Sequence, residues 1–199
     1  LIEDCAEALG TRLKGKLVGS FGDIATFSFF PNKLITTGEG GMIATNNEEI
    51  ADQARQLRDL CFGKENKFIH TGIGYNYRMS AIQAALGLSQ LSRTDNLIRG
   101  KRAVADMYSR ELNGTPGLQL HPERPGSFSL PWMYSILVKK PRSGDVRNQL
   151  IMALSDAGIE TRPFFVPIHK QPVFARRMRK LSFPFRTSYR REALICLQA

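Results

Sequence analysis

Residues 24 to 45 constrain the fold more than any other stretch. Ile24-Ala25-Thr26-Phe27-Ser28-Phe29-Phe30 is rich in β-branched and aromatic side chains and is led in by Gly22-Asp23, the pattern of a largely buried strand. Gly40-Gly41-Met42-Ile43-Ala44-Thr45 begins another. Between them lies a polar turn of Thr, Gly and Glu that also carries Lys33, which sets one lysine at the mouth of a sheet. Partial desolvation there would make the amine a better nucleophile toward a carbonyl, the usual preparation for a Schiff-base lysine. Taken alone, Lys33 reads more readily as one of many surface lysines, because lysine is mostly exposed.

Four blocks in order narrow the reading. They are IEDCAEALG (2 to 10), GSFGDIATFSFFPNKLITTGEGGMIATN (19 to 46), GYNYRMSAIQAALGLSQL (74 to 91) and GIETRPFFVPIHKQPVF (158 to 174). Together they run essentially end to end and resemble the DegT/DnrJ/EryC1/StrS family, pyridoxal-phosphate sugar aminotransferases of the aspartate-aminotransferase fold. The resemblance implies an α/β architecture of fold type I. Part of the cofactor-binding large domain, with its linking helix, would occupy residues 1 to 115, and a small C-terminal α/β domain would occupy 116 to 199. Within the family, Glu7, the ITTGEGG run, Trp132-Met133 and ETRPFF look most like the perosamine-forming members.

The resemblance also implies roles. Lys33 matches the Schiff-base lysine, which on release moves the proton between substrate carbon and cofactor. Asp4 matches the carboxylate under the pyridine nitrogen, where it keeps the ring protonated as an electron sink. Glu7 stands where many relatives carry His or Gln beside the pyridoxal hydroxyl. Ser28 matches a hydroxyl donor to the cofactor phosphate, and Asn76 an amide reaching a phosphate across a dimer interface. Arg78, Arg162, Phe164, Phe165 and His169 fall in the segments that would line the substrate site, Arg162 holding a glutamate carboxylate bidentately. Some relatives are dehydratases with histidine in place of the lysine, so Lys33 implies transamination. No metal is implied.

Each residue has a plainer alternative. Asp4 could cap a helix suggested by Cys5-Ala6-Glu7-Ala8-Leu9, and Ser28 could be an ordinary core hydroxyl. Asn76 and Arg78 could be turn chemistry in a Gly- and Tyr-rich loop. Gly38-Glu39-Gly40-Gly41 lacks the spacing of either nucleotide fingerprint. A lone histidine is more often structural than catalytic; His169 is weighed as a pocket residue, with His70 and His121 behind it.

Elsewhere the organisation follows local signals. Asn47 is placed to cap a helix over 48 to 58 whose apolar positions recur at helical spacing, and Ser80 precedes an apolar helix over 81 to 91 suited to a dimer interface. Residues 62 to 76 form a loop. A longer helix from about Thr94 to Leu112 ends at Asn113-Gly114. Beyond Pro116 the composition shifts; Trp132 to Val138 reads as a strand and Asp145 to Ala157 as a helix closed by Gly158.

The 199 residues are enough for one or two domains. By the resemblance, however, relatives are about twice as long. The chain opens at Leu1 inside an expected strand, and Gln198 stands where relatives show a proline, so it reads as a fragment that invites edge-strand pairing. The net charge of +10 gathers toward the C-terminus, in Lys170, Arg176, Arg177, Arg179, Lys180, Arg186, Arg190 and Arg191. No nucleic-acid motif accompanies it, and a solvated basic face that attracts a sugar-nucleotide diphosphate is the simpler reading. Cys5, Cys61 and Cys196 have no paired or metal spacing, which fits reduced thiols. No signal peptide or membrane-length apolar run is present, so a cytoplasmic enzyme is expected, with no membrane or nucleic-acid partner.

The expected function is transfer of an amino group, with pyridoxal phosphate, from glutamate to a nucleotide-linked 4-keto-6-deoxy sugar, GDP-linked, by a homodimer with shared sites. Two alternatives stay open at this point. One is a non-catalytic remnant acting as a dimerising or regulatory module; the other is a polyanion-binding protein.

Overall fold

The computed structural model describes residues 1–66, 68–139 and 146–174, and the backbone of 193–197. It divides into two compact units. One comprises Leu1–Arg102 with Glu123–Trp132, and the other Ala103–Pro122 with Met133–Ala199.

In the first unit, β1 (Ile2–Asp4), the short strands β2 (Arg12–Leu13) and β3 (Lys16–Leu17), β4 (Ile24–Ser28) and β5 (Gly41–Ala44) precede the helices α1 (Glu48–Arg58) and α2 (Ala81–Leu91). The order β1-β4-β5 makes one sheet. β1 runs parallel to β4 with Asp4 opposite Thr26, and β4 runs antiparallel to β5 with Ser28 opposite Gly41. Ala25 is fully buried and Phe29 nearly so, while the rest of β4 is half-buried, less enclosed than its composition suggests. The helix caps lie where sequence places them. Asn47 accepts from the Ile50 amide, with Glu48 and Glu49 in the first turn and Arg55 and Arg58 in the last, complementing the helix dipole. Ser80 and Gln83 form a capping box.

The segment after Asp4 is not a helix. The ladder continues through the Cys5 amide to the Thr26 carbonyl at 2.8 Å, and turns then close from Ala8 to Cys5 and from Thr11 to Ala8. Gly10, at φ +87°, lets the chain reverse into β2. Strand pairing has overridden a weak helical preference, and Asp4 caps no helix.

The third helix, α3 (Thr94–Glu111), gives its first residues to one unit and its remainder to the other. Two short strands follow, β6 (Leu118–Gln119) and β7 (Ser127–Phe128), and they part company: β7 returns to the first unit and joins the β3-β2-β7 sheet, with Phe128 opposite Arg12.

In the second unit, β8 (Tyr134–Val138) alternates buried and half-buried residues, as period two requires of a sheet covered on one face. Tyr134, Ile136 and Val138 form the core with Ala105; Tyr108 of α3, Leu112 just past its end, and Leu150, Ile151 and Leu154 of α4 (Val146–Asp156) pack against it. Tyr108 stacks on Tyr134, whose hydroxyl bonds Ser109 at 2.9 Å. Gly158, at φ +77°, closes α4 as expected. The sheet runs β6-β8-β10-β9, with β9 (Thr161–Pro163) and β10 (Ala193–Leu197) antiparallel. Trp132 lies outside the strand expected over 132 to 138 and belongs to the first unit. Among the described residues no helix is long and apolar enough to cross a membrane. The basic run from Arg176 to Arg191 lies outside the described residues.

Candidate active site

Because β1 and β4 are parallel, Asp4 and Ser28 stand at the same, C-terminal edge of the pair, where α/β sheets gather ligand-binding groups. Asp4 Oδ1 accepts from the Ala6 amide at 3.1 Å, and Ser28 Oγ accepts from the Phe30 amide at 3.3 Å, so the Ser28 hydrogen is available to donate.

The chain leaves β4 and folds back over its end. Phe29 bonds the Gly40 carbonyl, Thr37 the Phe29 carbonyl and the Lys33 amide the Phe30 carbonyl. Helix α2 locks this loop from outside through residues at helical spacing. The Gln90 amide group accepts from the Thr36 amide at 3.1 Å and donates to the Thr36 carbonyl at 2.6 Å, and Gln83 donates to the Glu39 carbonyl at 3.0 Å. Between them Gly87 admits Thr37, whose methyl would lie 2.9 Å from an added Cβ.

Lys33 is thereby held in a narrow place, its side chain only 12% exposed. Nζ lies 3.2 Å from Glu7 Oε1 and 3.8 Å from the centre of the Trp132 ring, whose indole N–H donates to the Asn32 carbonyl at 2.8 Å. Asn32 Oδ1 is the one buried side-chain oxygen or nitrogen without a partner among the described residues. The Lys33 side chain is largely enclosed. Its partners are a carboxylate and an aromatic face.

A second group sits after α1. Arg78 donates to Asp59 Oδ1 at 2.6 Å and, through Nε, to Asn76 Oδ1 at 3.3 Å; Asp59 and Asn76 also bridge through their backbones. With its oxygen so engaged, the Asn76 amide presents its N–H2 end as the donor. Gly74 is required here by close approach, since a Cβ would lie 2.5 Å from the backbone of Leu60 and Cys61.

The remaining candidates belong to the second unit. Arg162 lies in β9, half exposed and 3.4 Å from Glu160. Phe164 and Phe165 are exposed and tilt against each other at 6.0 Å, and His169 lies in a 3-10 turn, Ile168–Lys170. Sequence reasoning singled out Lys33 and Glu7 separately but not their pairing. It used Trp132 only as a mark of resemblance and gave Asn32 no role; no local pattern ties position 132 to position 33.

Two other groups are structural. Glu3 accepts from the amides of Gly19, Phe21 and Gly22, and these bonds, Gly22 foremost, hold its carboxyl below the usual range. Burial, reinforced by Glu3 and Asp4, pushes the Cys5 thiol up, away from a reactive thiolate.

The donor set fits pyridoxal phosphate: a confined amine for an aldehyde, a carboxylate for a pyridinium nitrogen, and a hydroxyl and an amide for a phosphate. Comparison with known proteins places the chain as a whole. The pattern of the DegT/DnrJ/EryC1/StrS aminotransferase family matches residues 1–196. The chain is 43% identical over 189 residues to the GDP-perosamine synthase of Vibrio cholerae, covering 95% of this chain and 51% of that protein. It is similar to the solved structure of Helicobacter pylori PseC, an aminotransferase involved in the biosynthesis of pseudoaminic acid. There the TM-score is 0.88 at 29% identity, covering 99% of this chain and 53% of that one. It is also similar to Spr1654 of Streptococcus pneumoniae in its PLP form, with a TM-score of 0.84 at 26% identity, covering 99% and 52%. The chain thus spans about half the length of the relatives it matches.

Proposed function

We propose, for a chain that belongs to the DegT/DnrJ/EryC1/StrS aminotransferase family, that the protein moves an amino group from glutamate to the keto carbon of a nucleotide-linked 4-keto-6-deoxy sugar. The GDP-linked sugar is favoured by the likeness to a GDP-perosamine synthase, and the product would serve polysaccharide biosynthesis, as the names of other relatives suggest. The observation that carries the reading is the confinement of Lys33 between Glu7 and Trp132 beside the C-terminal edge of β1 and β4.

Pyridoxal phosphate, when bound, supplies the carbonyl carbon that exchanges the amino group and a ring that takes up an electron pair. Asp4, one oxygen already bonded to Ala6, offers the other to hold a proton on the ring nitrogen. Ser28 donates its hydroxyl, and Asn76 its N–H2, to the phosphate. Lys33 Nζ would carry the proton between the amino-bearing carbon of the substrate and the carbonyl-derived carbon of the cofactor, serving as base and acid from one position. Glu7 fixes that position through its charged contact. Arg78 orients Asn76 and extends toward substrate; Arg162 clamps the carboxylate of glutamate, and Phe164, Phe165 and His169 shape the sugar pocket. A homodimer completes the site, with α2 at its interface: no residue of this apolar helix is buried, and Ile82 and Leu88 are 84% and 67% exposed.

The test is a pair of half-reactions on the full-length protein loaded with pyridoxal phosphate. Glutamate alone should release stoichiometric 2-oxoglutarate and change the cofactor's visible absorbance, and GDP-4-keto-6-deoxymannose should then restore it with an aminated sugar as product. Release of 2-oxoglutarate without amination of any keto-sugar nucleotide would overturn the substrate class, and no release would overturn the reaction.

A further inference from the structure

Trp132 is the one tryptophan in these 199 residues, and its placement is over-determined. The segment that delivers it leaves the second unit and is pinned to the first at four points. Arg102 grips it with two bonds to the Glu123 carboxylate, a third to the Ser129 carbonyl at 3.0 Å, and its guanidinium over the Phe128 ring. β7 pairs with β2, the Leu130 amide bonds Thr11 Oγ1 at 3.3 Å with Leu130 buried, and the Trp132 indole bonds the Asn32 carbonyl. That last bond is made to the residue immediately before Lys33. One side chain therefore fixes the lysine's backbone through its N–H and the lysine's amino end through its ring face, 3.8 Å away.

Resting on the aminotransferase reading, we propose that Trp132 is a positioning residue for Lys33: its ring and Glu7 together hold the amino end of the lysine during the half of the reaction in which that lysine is not bonded to the cofactor. A free lysine side chain has several rotatable bonds and samples many positions. An aromatic face on one side and a carboxylate on the other reduce these to one, and cation–π attraction is strongest where water is excluded, as it is around a side chain only 12% exposed. Nζ then stays where it can take the proton from the substrate and can bond the cofactor again when the product leaves. Sequence offers no hint of this because the contact spans about a hundred residues and depends on β7 returning to the first unit.

The experiment compares the full-length wild type with Trp132→Leu and Trp132→Phe. Three quantities are read: the rate of pyridoxal phosphate uptake by stopped-flow absorbance, the α-deuterium isotope effect on kcat with glutamate, and KM for glutamate. Trp132→Leu should take up cofactor about tenfold more slowly, because an amine no longer confined to one position meets the aldehyde less often in a reactive geometry. It should also show a larger isotope effect, because the proton step becomes limiting, with KM little changed. Trp132→Phe keeps a ring face and should stay within about threefold of wild type. Equal behaviour of Leu and Phe, whether both like wild type or both impaired, would overturn the proposal while leaving the aminotransferase reading intact. Failure of the wild type to take up cofactor would instead sink that reading. Should Trp132→Leu not fold, Lys33→Met decides. In the cofactor-free protein it should alter the Trp132 emission, isolated by subtracting Trp132→Phe, and an unchanged spectrum would show that ring and lysine do not meet.

Discussion

Lys33 and Glu3 show two uses of charge within one sheet. Lys33 has a carboxylate and a ring as neighbours, whereas the Glu3 carboxylate is occupied by three backbone amides and has an architectural role: it ties the Gly19 to Gly22 turn to β1. Those amides lower the Glu3 pKa from its ordinary value of 4.5. A carboxyl with a depressed folded-state pKa contributes stability that is fully present above the unfolded value and is lost as pH falls through the folded one. Wild type should therefore be more stable than Glu3→Gln above about pH 4.5, and the gap should close progressively as the pH drops below it. Thermal unfolding of both proteins across an acid pH series measures this; a gap that is constant with pH would remove Glu3 from the account of the turn. At this scale sequence named the residues without their partners. Asp4 in β1 and Lys33 after β4 were identifiable from their blocks, but the pairing of Lys33 with Glu7 depends on turns after β1 that replace the helix suggested by Cys5 to Leu9.

At the scale of elements, α2 is the support of the lysine loop. Gln83, Gly87 and Gln90 lie on one face and meet the loop at Glu39, Thr37 and Thr36. Gln90 uses both ends of its amide on the backbone of Thr36, so Gln90→Ala should destabilise the fold by about 1–3 kcal/mol, the net worth of two hydrogen bonds. It should also weaken cofactor binding. Gln90→Glu keeps the acceptor for the Thr36 amide and loses the donor to its carbonyl; it should fall between Ala and wild type in a titration with pyridoxal phosphate and in thermal unfolding. The helices themselves were legible because their signals are local: Asn47 and Ser80 as caps, apolar positions at helical spacing, and Gly114 and Gly158 past the ends. The short strands β2, β3 and β7 were not legible. Each is two residues long and exists only because the others pair with it, β7 across more than a hundred positions.

For the molecule as a whole, the apolar surface of α2 is the feature that calls for a partner, and a homodimer is the occupant proposed here. Ile82→Glu with Leu88→Glu, both side chains largely exposed on α2, should convert a full-length dimer to monomer in light scattering and lower cofactor affinity with it, since Asn76 is proposed to act across the interface. A dimer that survives the double substitution would place the interface elsewhere. The broad class was legible from four ordered blocks, and the family match over residues 1–196 agrees with it. What the blocks did not convey is how the chain is shared out: it enters the second unit within α3, returns for Glu123–Trp132, and leaves again at Met133. That return sets Trp132 over Lys33. The central claim is that Lys33 is the residue that bonds the cofactor, and the most direct test is borohydride trapping of pyridoxal phosphate on the full-length protein, followed by peptide mapping. Label on the peptide containing Lys33, and its loss in Lys33→Ala, is the expected result; label on another lysine, or none on a folded dimer, would contradict it.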